Sequence, residues 1–136
     1  METVLTLTLP AELSHLPAFL GTVTEAARAA GMPPKTLFEI ELALEEALVN
    51  VMNHAYEGGK GNIQVVCKAG NGTAFFVEIT DTGRDFDMTE LPAPDITADM
   101  DEREIGGLGV YLIGKLADRV AYRREEGKNI LSITFF

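Results

Sequence analysis

Leu37, Ile40, Leu44, Leu48, Val51 and Ala55 return at steps of three and four residues. That spacing lays one apolar stripe along a long helix that starts at Pro33–Pro34. A helix with such a stripe has to lie against a second layer, and the rest of the chain supplies strands for one. Residues 4–9 alternate Val4, Thr6 and Thr8 with Leu5, Leu7 and Leu9, a period of two. Residues 62–69 and 73–80 are β-rich and flank Gly70–Asn71–Gly72, a hairpin signal. Residues 119–124 and 129–136 flank a turn at Glu126–Gly127. A shorter helix runs from a Ser14 cap through Phe19, Leu20 and Val23 to Ala30. Pro17 stands in its first turn and Gly31 ends it.

The order is β-α-α-β-β-loop-α-β-β. Because the later strands arrive as hairpins, the expected class is α+β: a two-layer α/β sandwich, mostly antiparallel sheet with helices on one face. At 136 residues and 46% hydrophobic, the chain suits a single domain spanning 1–136. No apolar run approaches a membrane span, and the N-terminus lacks the basic start of a signal peptide. The one cysteine, Cys67, falls mid-strand and is expected to pack; a reducing cytoplasm suits it. A net charge of −10 would repel DNA or RNA, so no nucleic-acid partner is expected. An acidic protein that binds ATP needs a compensating cation, for which Mg²⁺ is the usual choice.

Three stretches carry chemistry. Glu46 and Asn50 stand four residues apart and point the same way from the long helix. With Glu39 and Asn53 they are expected opposite the apolar stripe, while Glu41 and Glu45 take a third, solvated face. The Asn50 amide oxygen is a hard ligand suited to Mg²⁺, and Glu46 is placed to accept a proton near a γ-phosphate. Taken alone, the pair equally fits a solvated glutamate and a helical asparagine. Asp81 ends a strand and Gly83 lets the backbone turn; the carboxylate can accept from an exocyclic amine such as that of adenine. Alone, it reads first as a turn aspartate, which is common. Gly106–Gly107–Leu108–Gly109 opens a helix, where bare backbone N–H groups and the helix dipole suit a phosphate. Residues 84–105 are polar, with Pro92 and Pro94, and loops of that length are usually functional or disordered. His54 is expected to serve packing or the helix dipole, Asn53 to line the pocket or hold a structural bond, and Arg103 to reach a phosphate or solvent.

In that order the stretches resemble the Bergerat-fold ATP-binding superfamily of gyrase, sensor histidine kinases and mismatch-repair ATPases. The matching segments are ALEEALVNVMNHAY, DTGRDFD and GGLGVYLI, at residues 43–56, 81–87 and 106–113. Over nearly its full length the chain looks like an anti-sigma factor serine kinase, a branch favoured by His54–Ala55–Tyr56. The resemblance implies Glu46 as general base and Asn50 as Mg²⁺ ligand. It implies Asp81 and Gly83 at adenine, Gly107 and Gly109 at phosphate, and residues 84–105 as an ATP lid. Asn53, Asp85, Gly106, Leu108 and Asn129 join the nucleotide-binding set. The implied activity is ATP-dependent phosphorylation of a serine on a STAS-type anti-anti-sigma protein, with sequestration of a sigma factor by a homodimer.

Two departures stand out. Asp85 occupies a position where the family often has glycine, and residues 18–21 lack an arginine that sporulation-type members use with partners. They keep a second class in view, a nucleotide-binding module that sequesters without turnover. A third is a stand-alone ATPase. Gyrase-type and histidine-kinase branches are disfavoured by the absence of residues for a transducer or dimerisation domain.

Overall fold

The computed structural model describes residues 1–56, 60–70, 74–85, 87 and 109–136, with the side chains of 110 and 111 excepted. Its elements are β1 (Glu2–Pro10), a 3₁₀ turn (Leu13–His15), α1 (Leu16–Ala29), α2 (Pro34–His54) and β2 (Asn62–Ala69). Then follow β3 (Phe75–Asp81), α3 (Gly109–Leu116), β4 (Arg119–Glu125) and β5 (Lys128–Phe135). The five strands form one antiparallel sheet in the order β1-β2-β3-β5-β4. The expected α+β class and element order therefore hold.

Period-two patterning decides which face is covered. Ile63, Val65 and Cys67 of β2, Phe75, Val77 and Ile79 of β3, and Leu131, Ile133 and Phe135 of β5 are buried in one core. Phe19 and Val23 of α1 and Ile40, Leu44, Leu48 and Val51 of α2 join them from the helix layer. Each fully buried side chain of this size contributes about 1.5–3 kcal/mol. Cys67 behaves as a small apolar residue here, and burial pushes its thiol up to about 12. The β4–β5 turn places Glu126 at φ 50° and Gly127 at φ 77°. Two successive left-handed residues are the turn that matches strand twist, and glycine takes the second without steric cost.

Two expectations change. Ser14 caps nothing: it lies inside the 3₁₀ turn, and His15 precedes α1 without a side-chain cap. The preceding turn already satisfies part of the chain entering α1, since the His15 N–H bonds the Glu12 carbonyl at 2.9 Å. Asn50, expected opposite the apolar stripe, is buried along α2 with Ala43 and Ala47. It is 1% exposed; α2 has α1 and α3 as neighbours and shares its core with the sheet.

Candidate functional site

Strand periodicity builds one end of the site. Asp81 is in phase with Phe75, Val77 and Ile79, so it enters the core-facing row as its last member. Asn129 is in phase with Leu131, Ile133 and Phe135 on β5, and the register sets it directly opposite Asp81. Arg124 of β4 is in turn opposite Asn129. The apolar sheet face thus ends in a polar cluster. Asp81 and Asn129 are both 4% exposed.

The cluster is tightly bonded. Asp81 Oδ1 accepts the Gly83 N–H at 2.9 Å and the Asn129 amide at 2.9 Å. The same amide donates to the Arg84 carbonyl at 2.6 Å. Asn129 Oδ1 accepts from the Tyr122 hydroxyl at 2.6 Å and from Arg124 at 3.0 Å. Burial pushes the Asp81 carboxyl up, against the two hydrogen bonds and the Arg124 charge that pull it down. Its Oδ2 has no hydrogen-bond partner among the described residues and is left to accept a ligand donor.

The loop after β3 is locked to the end of α2. A Cβ on Gly83 would stand 2.1 Å from the Ala55 carbonyl oxygen, so only glycine lets the two backbones meet. The Arg84 N–H bonds that carbonyl at 2.9 Å, and Arg84 Nε donates to the His54 carbonyl at 2.7 Å. These donors satisfy carbonyls that a helix end leaves open, and the guanidinium suits the negative pole of the helix. Tyr56 adds a second clamp: its hydroxyl accepts the Thr82 N–H at 2.8 Å and donates to the Asn62 carbonyl at 2.7 Å. Gly61 packs on the Tyr56 ring, where a Cβ would come within 2.1 Å. Asp81 is therefore held at fixed distance from the helix that carries Glu46 and Asn50.

On α2, Asn50 lies one turn beyond Glu46. Neither Oδ1 nor Nδ2 of Asn50 has a hydrogen-bond partner among the described residues, and both atoms are buried. Leaving a buried amide unbonded costs about 1–3 kcal/mol, so such a group calls for a ligand. Glu46 is half-buried; its carboxyl is raised by burial and then by the neighbouring Glu45 charge. A carboxyl raised in this way takes up a proton more readily than a free glutamate, which suits a proton-accepting role. Among the described residues no three His, Cys, Asp or Glu side chains gather as a metal cluster. A divalent ion held at Asn50 would also take oxygens from a ligand and water, as Mg²⁺ commonly does.

The remaining expected residues fall as follows. Asn53 is exposed on the last turn of α2. His54 ends α2 and offers its carbonyl to Arg84. Asp85 is exposed and its Oδ1 accepts from the Tyr122 hydroxyl at 3.1 Å. Gly109 is the first residue of α3. Gly106, Gly107, Leu108, Arg103 and most of the expected lid lie outside the described residues. Tyr56, Tyr122 and Arg124 were not legible as site residues from motif spacing. The signal for the latter two was their phase on β4, shared with Val120. No described helix is long and apolar enough to cross a membrane.

Comparisons with known proteins match the fold. The histidine kinase-like ATPase domain model matches residues 9–135. The chain is 27% identical to the serine-protein kinase RsbW of Listeria monocytogenes, over 96% of this chain and 86% of the relative. It is 26% identical to the serine-protein kinase RsbW of Bacillus cereus, over 90% and 79%. Among solved structures, the RsbU and RsbW domains of Rv1364c from Mycobacterium tuberculosis superpose with a TM-score of 0.70 at 16% identity. That match covers 99% of this chain and 32% of the larger one. The histidine kinase domain of the Erythrobacter litoralis EL346 blue-light activated kinase gives 0.55 at 23% identity, covering 88% and 60%. With a family model matched over nearly all its length, a Bergerat-type sheet and a polar cluster at the strand ends, this chain belongs to the histidine kinase-like ATPase domain family.

Proposed function

We propose that the protein is an ATP-dependent protein serine kinase that works as an anti-sigma regulator. It phosphorylates a STAS-type anti-anti-sigma protein and, as a homodimer, sequesters a sigma factor. The observation that carries this reading is the buried Asn50 amide with two unbonded atoms, one turn from the raised Glu46 carboxyl on the same helix. The similarity to serine-protein kinases named RsbW supports the serine-kinase class.

In this reading Asp81 Oδ2 accepts the adenine amine, and Gly83 keeps that carboxylate against the end of α2. Asn50 gives one oxygen to a Mg²⁺ ion, and the buried unbonded amide fits that role. Bound there, the ion neutralises charge on the triphosphate oxygens. Glu46 accepts the proton of the incoming serine hydroxyl as its oxygen bonds to the γ-phosphorus. The bond to the β–γ bridging oxygen breaks and ADP leaves. Gly109, the first residue of α3, takes the phosphates together with Gly106, Gly107 and Leu108 of the same sequence motif, and Asn53 and Asp85 border the nucleotide.

Calorimetric titration with ADP and ATP, with and without Mg²⁺, tests the pocket. Transfer of labelled phosphate to a STAS-domain protein tests the activity. Mg²⁺-dependent binding with transfer abolished in Glu46→Gln is the expected result. Binding without transfer to any STAS partner would instead identify a sequestering module, and equal turnover with water alone would identify an ATPase.

A further inference from the structure

Every hydrogen-bonding position of the Asn129 amide has a partner. Both N–H groups are used, toward Asp81 Oδ1 at 2.9 Å and the Arg84 carbonyl at 2.6 Å. The oxygen receives the Tyr122 hydroxyl at 2.6 Å and the Arg124 guanidinium at 3.0 Å. The orientation follows from chemistry alone. Turned over, the amide oxygen would face a carboxylate and a carbonyl, while its N–H groups would face a guanidinium and a hydroxyl. So saturated a side chain has nothing left for a nucleotide, which argues against direct contact between Asn129 and adenine.

We propose that Asn129 is a positioning residue: it holds Asp81 as an oriented acceptor for the adenine amine, while Tyr122 and Arg124 from β4 lock the Asn129 amide in the one orientation that does so. The proposal rests on the nucleotide reading above. With Oδ1 occupied by Asn129 and the Gly83 N–H, the carboxylate can turn only Oδ2 to a ligand. Among the described residues, the charged group acting on Asp81 is the Arg124 guanidinium of β4. Arg84 and Asp85 follow on its own loop, Asn129 and the Gly83 N–H are its neutral donors, and Tyr56 and Ala55 face the loop from the end of α2. Tyr122 has a single proton and two acceptors, Asn129 Oδ1 and Asp85 Oδ1. The start of the 84–105 segment thus competes for the hydrogen that orients the base-reading pair.

The test follows the Asp81 carboxyl by ¹³C NMR titration in the intact protein, alongside calorimetry with ADP and Mg²⁺. Asn129→Ala removes a donor to the charged form, so the Asp81 midpoint rises and ADP affinity falls about tenfold. Asn129→Asp keeps the shape if the alanine variant fails to fold. It sets two carboxyls face to face, so the pair titrates in two coupled steps, the upper one raised. Tyr122→Phe loosens the amide and gives a smaller shift in the same direction. An Asp81 midpoint unmoved by all three substitutions overturns the assignment. A moved midpoint in a protein that binds no ADP keeps the Asn129–Asp81 assignment and removes the nucleotide reading instead.

Discussion

Replacing Asn50 by leucine separates stability from function most sharply. Leucine branches at the same carbon and matches asparagine in non-hydrogen atom count, so the 1% exposed site can take it with little movement. In the wild type, folding strips water from an amide that finds no partner among the described residues. Removing that penalty returns about 1–3 kcal/mol, and burying the leucine adds about 1.5–3 kcal/mol. Fitting two methyl groups where an oxygen and an amide stood costs up to about 1.5 kcal/mol. A net gain of about 1 kcal/mol or more remains, or roughly 3 °C or more in Tm for a domain of this size. Urea unfolding without nucleotide should show a higher midpoint at unchanged slope. The same variant should lose Mg²⁺-dependent nucleotide binding and phosphate transfer, because no hard oxygen remains at that turn of α2. A variant less stable than the wild type would refute the orphaned-amide argument. Undiminished Mg²⁺-dependent binding would refute the ligand assignment.

Gly83→Ala should destabilise the fold by about 2–4 kcal/mol in urea unfolding. The Ala55 carbonyl must retreat by about 1 Å, stretching its bond from Arg84, and a change under 1 kcal/mol contradicts the close-approach role. Phosphate transfer should fail on acidification at a pH above the ordinary glutamate range. The Glu46 carboxyl is raised, the base form is lost as pH falls through that raised value, and a rate profile with its acid limb at or below the ordinary value would count against Glu46 as base. Asp81→Asn should bind nucleotide about 10–100-fold more weakly while costing no stability at neutral pH. The folded-state carboxyl is raised, so its ionisation opposes folding: the cost is absent below the ordinary aspartate value and complete above the raised one. Chemical denaturation at pH 7 and calorimetry check the two halves of that statement. Cys67 should resist alkylation until global unfolding, since its thiol is buried and pushed up to about 12, and rapid labelling of the native protein would contradict its place in the core.

Local pattern was enough for much of this molecule. Alternation in residues 4–9 and 62–69, the three-and-four spacing along α2 and the Glu126–Gly127 turn fix which elements form and which side each buries. The order of three short motifs was enough to suggest the family that the matched domain model establishes. These features depend on neighbours within a few residues, where periodicity translates directly into a face. Ser14 shows the limit even at that range, because a hydroxyl before a helix cannot announce that a 3₁₀ turn will intervene.

What the chain could not announce were pairings across the sheet and between layers. That Asn50 is 1% exposed, on a helix whose stripe predicts only one covered face, depends on the layers packed around α2, α1 and α3 among them. That Asn129 faces Asp81, forty-eight residues away, follows from strand register. Sequence alone read Gly83 as a turn; the reason it must be glycine is the Ala55 carbonyl across the loop. Composition and spacing thus chose the elements and their faces. Only the folded arrangement decided which polar groups met, because hydrogen bonds between distant strands and helix ends exist only once the layers have closed.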